Sequence, residues 1–260
     1  MSLFKFIHLF LYIILIITLG GCKKDELIII EDPIVSEDFR SKIVAHRGVW
    51  MDNYLEQNSL NAINLSKGLD IWGCEIDIRE TCDGCLILSH DPIILNLEIS
   101  KHTYEELKVA AAKEGRDLAT LNEALTLLEE IGGNIVIEVK EANASRLKQI
   151  VDFYPALKSS LSYMSFSKEI CKLLIKNELK PTYLLIDNNS INYKELVKDG
   201  YSGIAIDRAV LGKDLNIFHK CKNNNLSVLV WTVRNSPEIF SYINLGVDYV
   251  ITDIPQDLLN

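Results

Sequence analysis

From Lys42 onward the chain alternates short runs rich in Val, Ile, Leu and Tyr with longer stretches in which apolar residues recur every three or four positions. The first pattern predicts strands and the second amphipathic helices. The strand-like runs are Ile43–His46, Cys74–Arg79, Leu86–His90, Asn134–Lys140, Ser162–Phe166, Thr182–Asp187, Gly203–Asp207, Ser227–Val233 and Asp248–Thr252. Between most of them lie helical stretches at Asn58–Gly68, Leu121–Ile131, Ala144–Phe153, Lys168–Asn177, Asn192–Asp199, Leu215–Asn223 and Ser236–Leu245. Mostly apolar strands separated by helices predict a parallel sheet covered by helices. Nine runs are one more than a (β/α)8 barrel needs. Leu86–His90 is the surplus, because it follows Asp77 through the Asp83-Gly84 turn with no room for a helix and has to return antiparallel. The reading is α/β: a (β/α)8 TIM barrel with an extra β-hairpin strand and a short insertion after it. An open doubly wound sheet is the alternative, but no Gly-x-Gly-x-x-Gly fingerprint follows any strand. Pro92–Asp117 is the least periodic segment and reads as an excursion with one or two short helices, a candidate lid over the barrel mouth.

A different pattern precedes the barrel. Phe6 to Leu19 is apolar apart from His8 and Thr18, follows Lys5, and leads into Gly20-Gly21-Cys22. A lysine, an apolar core and small residues before a cut have the layout of a secretory signal. The run is shorter than the roughly 20 residues of a membrane-spanning helix. Leu19-Gly20-Gly21-Cys22 resembles a bacterial lipobox, whose cysteine is lipidated and becomes the mature N-terminus; an uncleaved anchor and plain secretion are the alternatives. Carrying more than one acyl chain, Cys22 would meet the condition for stable membrane attachment. The chain thus divides into a signal peptide with lipobox over 1–22, a tether over 23–42 and one barrel domain over 43–260. The expected location is the bacterial cell envelope, lipid-anchored on the periplasmic or outer-membrane surface side. Lys23-Lys24-Asp25-Glu26 resembles the charged export tags of some surface lipoproteins, or is simply a solvated tether.

Charge and cysteines narrow the function. The chain has 27 Lys and Arg against 36 Asp and Glu, a formal net charge of −9. Without a basic cluster it is a poor nucleic-acid binder. Of its six cysteines, Cys82 and Cys85 form a C-x-x-C around Asp83-Gly84. No second pair at zinc spacing exists, so this is either a plain hairpin turn or a turn closed by a disulfide in an oxidising compartment.

The strand ends carry the chemistry, since barrels of this kind place catalytic groups at the C-terminal ends of their strands. His46 ends the first run, Glu75 and Asp77 lie in the second, and Glu138 and Lys140 end the run after the hairpin. Side chains alternate along a strand, so Glu75 and Asp77 share a face, as do Glu138 and Lys140. Charges inside an apolar strand are costly without partners. Glu75, Asp77 and Glu138 could together ligate one hard divalent cation, Ca2+ or Mg2+ rather than zinc. The alternative is a salt bridge to Lys140. Arg47 and Lys140 beside a cation would suit a phosphate. His46 and His90 then stand where one could take a proton and the other supply one to a leaving alkoxide; either alone could equally be a structural, hydrogen-bonded histidine.

These residues form a recognisable series. His46-Arg47-Gly48, Asn58-Ser59, Glu75-Ile76-Asp77, Thr81-Cys82-Asp83-Gly84, His90-Asp91, Glu138-Val139-Lys140, Trp231-Thr232-Val233 and Ile251-Thr252-Asp253 run in the order and approximate spacing of the glycerophosphodiester phosphodiesterase family, which the chain resembles over nearly the whole domain. The resemblance implies a barrel enzyme that cuts glycerophosphodiesters to glycerol 3-phosphate and an alcohol with one divalent cation, and the short, mixed Pro92–Asp117 insertion favours small soluble diesters. It implies His46 and His90 as general acid and base, Glu75, Asp77 and Glu138 as metal ligands, and Arg47 and Lys140 on the phosphate. It also puts Trp231 in the substrate pocket over the glycerol carbons, with core packing as the alternative. Asp253 reads as fixing the final turn. The chain departs from the family at Gln57, where a glutamate is usual, with the acid one place earlier at Glu56. Two other readings accompany this one: a related phosphodiesterase acting on a lysophospholipid or a glycerophosphate polymer, and an inactive barrel serving as a binding protein.

Overall fold

The structure, a computed structural model, describes residues 37–51 and 55–258. The expected signal, the lipidation at Cys22 and most of the tether lie outside the described residues.

The chain opens with α1 (Glu37–Arg40), whose Phe39 packs against Phe240 at a ring separation of 4.6 Å, and enters β1 (Ile43–Ala45). Next come α2 (Leu60–Gly68), β2 (Gly73–Glu80) and β3 (Leu86–Leu88). The insertion holds β4 (Ile93–Ile94), β5 (Leu97–Glu98) and α3 (Tyr104–Lys113) and leads to α4 (Leu121–Ile131). The rest alternates: β6 (Asn134–Glu141), α5 (Ala144–Asp152), β7 (Leu161–Ser165), α6 (Lys168–Lys176), β8 (Thr182–Ile186), α7 (Tyr193–Asp199), β9 (Gly203–Asp207), α8 (Arg208–Lys213), α9 (Asn216–Asn223), β10 (Ser227–Val233), α10 (Ser236–Leu245) and β11 (Tyr249–Thr252).

Among the described residues, β1, β2 and β6 to β11 close a ring of eight parallel strands, with β1 paired to both β2 and β11. The barrel expected from the alternation is the one found. β3 lies outside the ring, antiparallel to β2, with Ile78 opposite Leu88. The Asp83-Gly84 turn makes this return: Thr81 Oγ1 donates to Asp83 Oδ1 and accepts the Cys85 N–H at 2.9 Å. Cys82 and Cys85 are both free thiols flanking it.

Helix starts carry side-chain caps that the sequence supplies. Thr103 with Glu106 and Thr120 with Glu123 form complete capping boxes at α3 and α4, and Asn235 caps α10 ahead of Pro237. The alternation along each strand sorts two cores. Outward residues such as Ile76, Ile78, Ile135, Ile137 and Val139 pack under the helices. Inward residues Val44, Val136, Met164, Tyr183, Leu185, Ala205, Leu229 and Ile251 fill the lumen with Trp72 and Tyr249. This packed floor leaves the charged residues of β2 and β6 at the upper rim.

Candidate active site

Strand register brings the predicted residues together. Cys74 of β2 is level with Ala45 of β1 and with Ile135 of β6, and two and three steps further on Ile76 lies beside Ile137 and Asp77 beside Glu138. Glu75, Asp77 and Glu138 therefore rise on adjacent strands along one wall. Glu75 is fully buried, and Asp77 and Glu138 are nearly so. Each offers a ligand oxygen within 4.8 Å of the others.

Their hydrogen bonding is half complete. Glu75 Oε2 accepts the backbone N–H of Arg47 at 3.0 Å, and Asp77 Oδ2 accepts Asn58 Nδ2 at 2.9 Å. Lys140 Nζ pairs with Glu138 Oε1 at 2.6 Å and Asp77 Oδ1 at 3.2 Å, and Arg47 Nε lies 3.3 Å from Asp77 Oδ2. Glu75 Oε1 is buried without any partner, whereas Asp77 Oδ1 and Glu138 Oε1 are buried with only the shared Lys140 ammonium against them. Three buried carboxylates against two cations leave an excess negative charge, which costs on the order of several kcal/mol per uncompensated ion. Burial, then the charges of Asp77 and Glu138, push the Glu75 carboxyl well above the usual carboxylate range. Burial and the charge of Asp77 carry Glu138 up to about 7. Asp77 goes the other way: burial would raise it, but Lys140, Arg47 and Asn58 together pull it down. Three convergent buried carboxylates, one of them with an oxygen that has no partner, fit a hard divalent cation. The alternative of a plain salt bridge to Lys140 accounts for Asp77 and Glu138 but leaves Glu75 unexplained.

Backbone conformation aims the first loop into this site. Arg47 and Asn58 both have positive φ, 59° and 58°, a left-handed conformation that Asn adopts readily but that costs Arg47 about 1–2 kcal/mol. Asn58 grips Asp77 twice, its Oδ1 accepting the Asp77 N–H at 2.9 Å. Gly48, at φ +79°, has no room for a side chain, since a Cβ there would meet the Ala62 backbone at 2.7 Å. Gln57, at the departure from the family pattern, accepts Arg47 Nη1 at 2.6 Å.

Closure of the ring also brings Asp253, at the final turn, against the site. The β1–β11 ladder runs Val44 beside Ile251 and Ala45 beside Thr252, and continues as the His46 N–H donates to Thr252 O at 2.8 Å. Asp253 thus lands beside His46, with Oδ1 2.6 Å from Nδ1. Its Oδ2 accepts Arg234 Nε at 2.6 Å. Burial would raise the Asp253 carboxyl, but the His46 hydrogen bond and the Arg234 pairing outweigh it and hold the pKa low. An ionised Asp253 fixes the proton on Nδ1 and leaves Nε2 as the acceptor, 3.9 Å from Glu75 Oε2. His90 Nδ1 lies 2.8 Å from Asp91 Oδ1. Burial lowers the His90 pKa more than Asp91 and Asp77 raise it, which favours the neutral ring.

Both histidines line one cavity of about 220 Å3, with Arg47, Glu138 and Lys140 on one side and Met164, Leu185 and Trp231 on the other. Trp231 Nε1 donates to Ala205 O at 2.9 Å, and Phe166 stands edge-on to its ring at 5.5 Å. Phe166 is 47% exposed, so it forms a rim rather than a core contact. A wider open cleft of about 700 Å3, lined by Lys168 and residues 189–195, holds none of these groups, so size alone does not select the site.

Comparison with known proteins agrees with this geometry. Residues 46–257 match the model of the glycerophosphoryl diester phosphodiesterase family. A glycerophosphodiester phosphodiesterase of Caldanaerobacter subterraneus subsp. tengcongensis is 25% identical over 246 residues, covering 85% of this chain and 97% of the relative. The crystal structure of a glycerophosphodiester phosphodiesterase from Parabacteroides distasonis is 27% identical, with a TM-score of 0.73 over 84% of this chain and 95% of that one. The same fold, at 22% identity and a TM-score of 0.67 over 85% and 96% of the two chains, is that of an Oleispira antarctica phosphodiesterase solved with the product sn-glycerol-3-phosphate. With a barrel of the same topology and a family match that begins at His46 itself, this chain belongs to the glycerophosphoryl diester phosphodiesterase family.

Proposed function

We propose that this protein is a divalent-cation-dependent phosphodiesterase that hydrolyses small glycerophosphodiesters to glycerol 3-phosphate and an alcohol, with His46 and His90 moving the protons. The observation that carries the reading is the convergence of three buried carboxylates, with Glu75 Oε1 lacking any partner, beneath a cavity lined by both histidines and two cations. Glu75, Asp77 and Glu138 would hold the ion, Ca2+ or Mg2+. When bound, it supplies Lewis-acid polarisation of the phosphoryl oxygens and neutralises their charge.

The chain's own groups divide the remaining work. Arg47 and Lys140 receive the phosphate, which has two bridging and two free oxygens. Trp231, with Phe166 at the rim, covers the glycerol carbons and excludes water from that side. One histidine takes the proton of the attacking hydroxyl and the other delivers a proton to the leaving alkoxide; where the glycerol 2-hydroxyl attacks, the cyclic phosphate it forms is opened by water in a second step with the two proton transfers reversed. The sum is one water consumed and one phosphoester bond cleaved. Asp253 orients His46 and Asp91 borders His90, so each ring has a carboxylate at Nδ1.

The test is release of glycerol 3-phosphate from glycerophosphocholine, glycerophosphoethanolamine and glycerophosphoinositol by the purified protein with Ca2+ or Mg2+. Activity that a chelator abolishes and added cation restores is expected. Full activity in excess chelator would overturn the cation, and no release from any diester would overturn the activity. Attachment to a membrane through a lipidated Cys22, and hence residence at the cell envelope, belongs to the same reading and rests on Leu19-Gly20-Gly21-Cys22. Release of the protein into the soluble fraction by Cys22→Ser is the expected result; unchanged membrane association would contradict it.

A further inference from the structure

Arg79 occupies the top of β2 on the same face as Glu75 and Asp77, and it is only 8% exposed. Its guanidinium lines neither the main cavity nor the recess of about 90 Å3 on the other side of His90. Instead Nε and Nη2 both donate to the carbonyl oxygen of His90, at 3.0 and 2.8 Å. Nη1 lies 3.0 Å from Glu141 Oε2. A buried guanidinium is costly, and this one gives two of its five donors to a single backbone carbonyl.

The sheet is altered to allow this. β2 and β6 run in register from Gly73 beside Asn134 to Ile78 beside Val139, then shift so that Arg79 pairs with Glu141. Without the shift Arg79 would stand opposite Lys140, cation against cation. With it, Lys140 is left to Asp77 and Glu138 while Arg79 gains an anion. Bulges of this kind re-aim side chains beside functional sites. His90 needs such help because β3 ends at Leu88. Beyond that point its backbone is tied by the Ser89 N–H to Asp77 O at 3.1 Å on one side and by Arg79 on the other. Arg79 holds His90 by its backbone carbonyl, so it acts on where the imidazole stands.

We infer that Arg79 is a positioning residue for the reaction: anchored by Glu141, it clamps the His90 carbonyl and so fixes the imidazole at the distance that proton transfer requires. This rests on the reading of His90 as a proton-transfer group. Misplacement of such a group by about 1 Å can cost on the order of a hundredfold in rate.

The test is a double-mutant cycle with thermal unfolding measured for every variant. Arg79→Met is expected to lower kcat roughly ten- to a hundredfold while KM stays within about twofold. In the His90→Ala background the same substitution should cost nothing further, because the group it positions is gone. Glu141→Ala, which leaves the arginine but removes its anchor, should lower kcat in the same direction by less, and should likewise be silent in His90→Ala. It provides the cycle if Arg79→Met does not fold. Wild-type kcat in Arg79→Met, or a loss that multiplies with that of His90→Ala, would overturn the inference. Undiminished turnover in His90→Ala alone would instead overturn the role of His90 on which it depends.

Discussion

Asp253 Oδ1 sits 2.6 Å from His46 Nδ1, although 207 positions of sequence separate the two residues. The contact exists because the first strand of the barrel closes on the last, and it decides which nitrogen of His46 faces the cavity. An amide at 253 can donate to Nδ1 and hold the opposite tautomer. Asp253→Asn is therefore expected to lower kcat by roughly a hundredfold, within the range of about 10²–10⁴ that a placed proton-transfer group supplies, with little change in KM. Turnover within a fewfold of wild type would show that Asp253 only fixes the turn.

Glu75 is fully buried, and its charged form is opposed by burial and by Asp77 and Glu138. A neutral isostere should relieve that opposition. Glu75→Gln is expected to abolish activity and the thermal stabilisation given by added cation, while leaving the chelated protein at least as stable as wild type. For scale, a ligand at a hundred times its Kd stabilises by about 2.7 kcal/mol. A chelated Glu75→Gln protein that melts well below wild type would contradict the origin of the strain.

The pH dependence of the cation-free protein follows from Glu138, whose carboxyl is carried from 4.5 up to about 7 by burial and the charge of Asp77. Between those values the folded state holds a proton that the unfolded chain has released. The contribution is thus fully present below the ordinary carboxylate range and is lost as pH rises through about 7. Unfolding in chelator, compared with Glu138→Gln, should show wild type losing stability relative to the variant from pH 4.5 to 7. Added cation should reverse the trend, since its ligands must be deprotonated. A difference that grows in the opposite direction would contradict the assignment.

Phe166 is 47% exposed and meets Trp231 edge to face. Removing it takes away a rim contact and little core. Phe166→Ala is expected to raise KM roughly three- to tenfold with kcat within about twofold, the mark of binding shared by ground and transition states, and to leave Tm unchanged. An unaltered KM would place the glycerol elsewhere.

Much of this could be read before any coordinates. The alternation of apolar runs and amphipathic stretches is long and regular, so the eight barrel strands and the odd hairpin strand emerge from it with ends shifted by one or two residues. Strand parity shows Glu75 with Asp77 and Glu138 with Lys140, and the β2–β6 register then joins the two pairs on one wall. Other features have no local signature. Asp253 acquires its partner only through ring closure. Arg79 acts on a backbone carbonyl, and its pairing with Glu141 depends on a register shift that no periodicity announces. α8 follows β9 without a linker, its six residues capped by Asp207 itself, so there was no separate amphipathic stretch to recognise. The insertion carries α3, one of the short helices expected there, but its two-residue strands β4 and β5 are too short to leave a periodic signal.

The most direct test is anomalous diffraction from crystals soaked with Mn2+ and glycerol 3-phosphate. A single strong peak bounded by Glu75, Asp77 and Glu138, with phosphate density reaching Arg47 and Lys140 and both histidines facing it, is the expected result. Manganese bound elsewhere, or phosphate density away from His46 and His90 at full occupancy, would contradict the site.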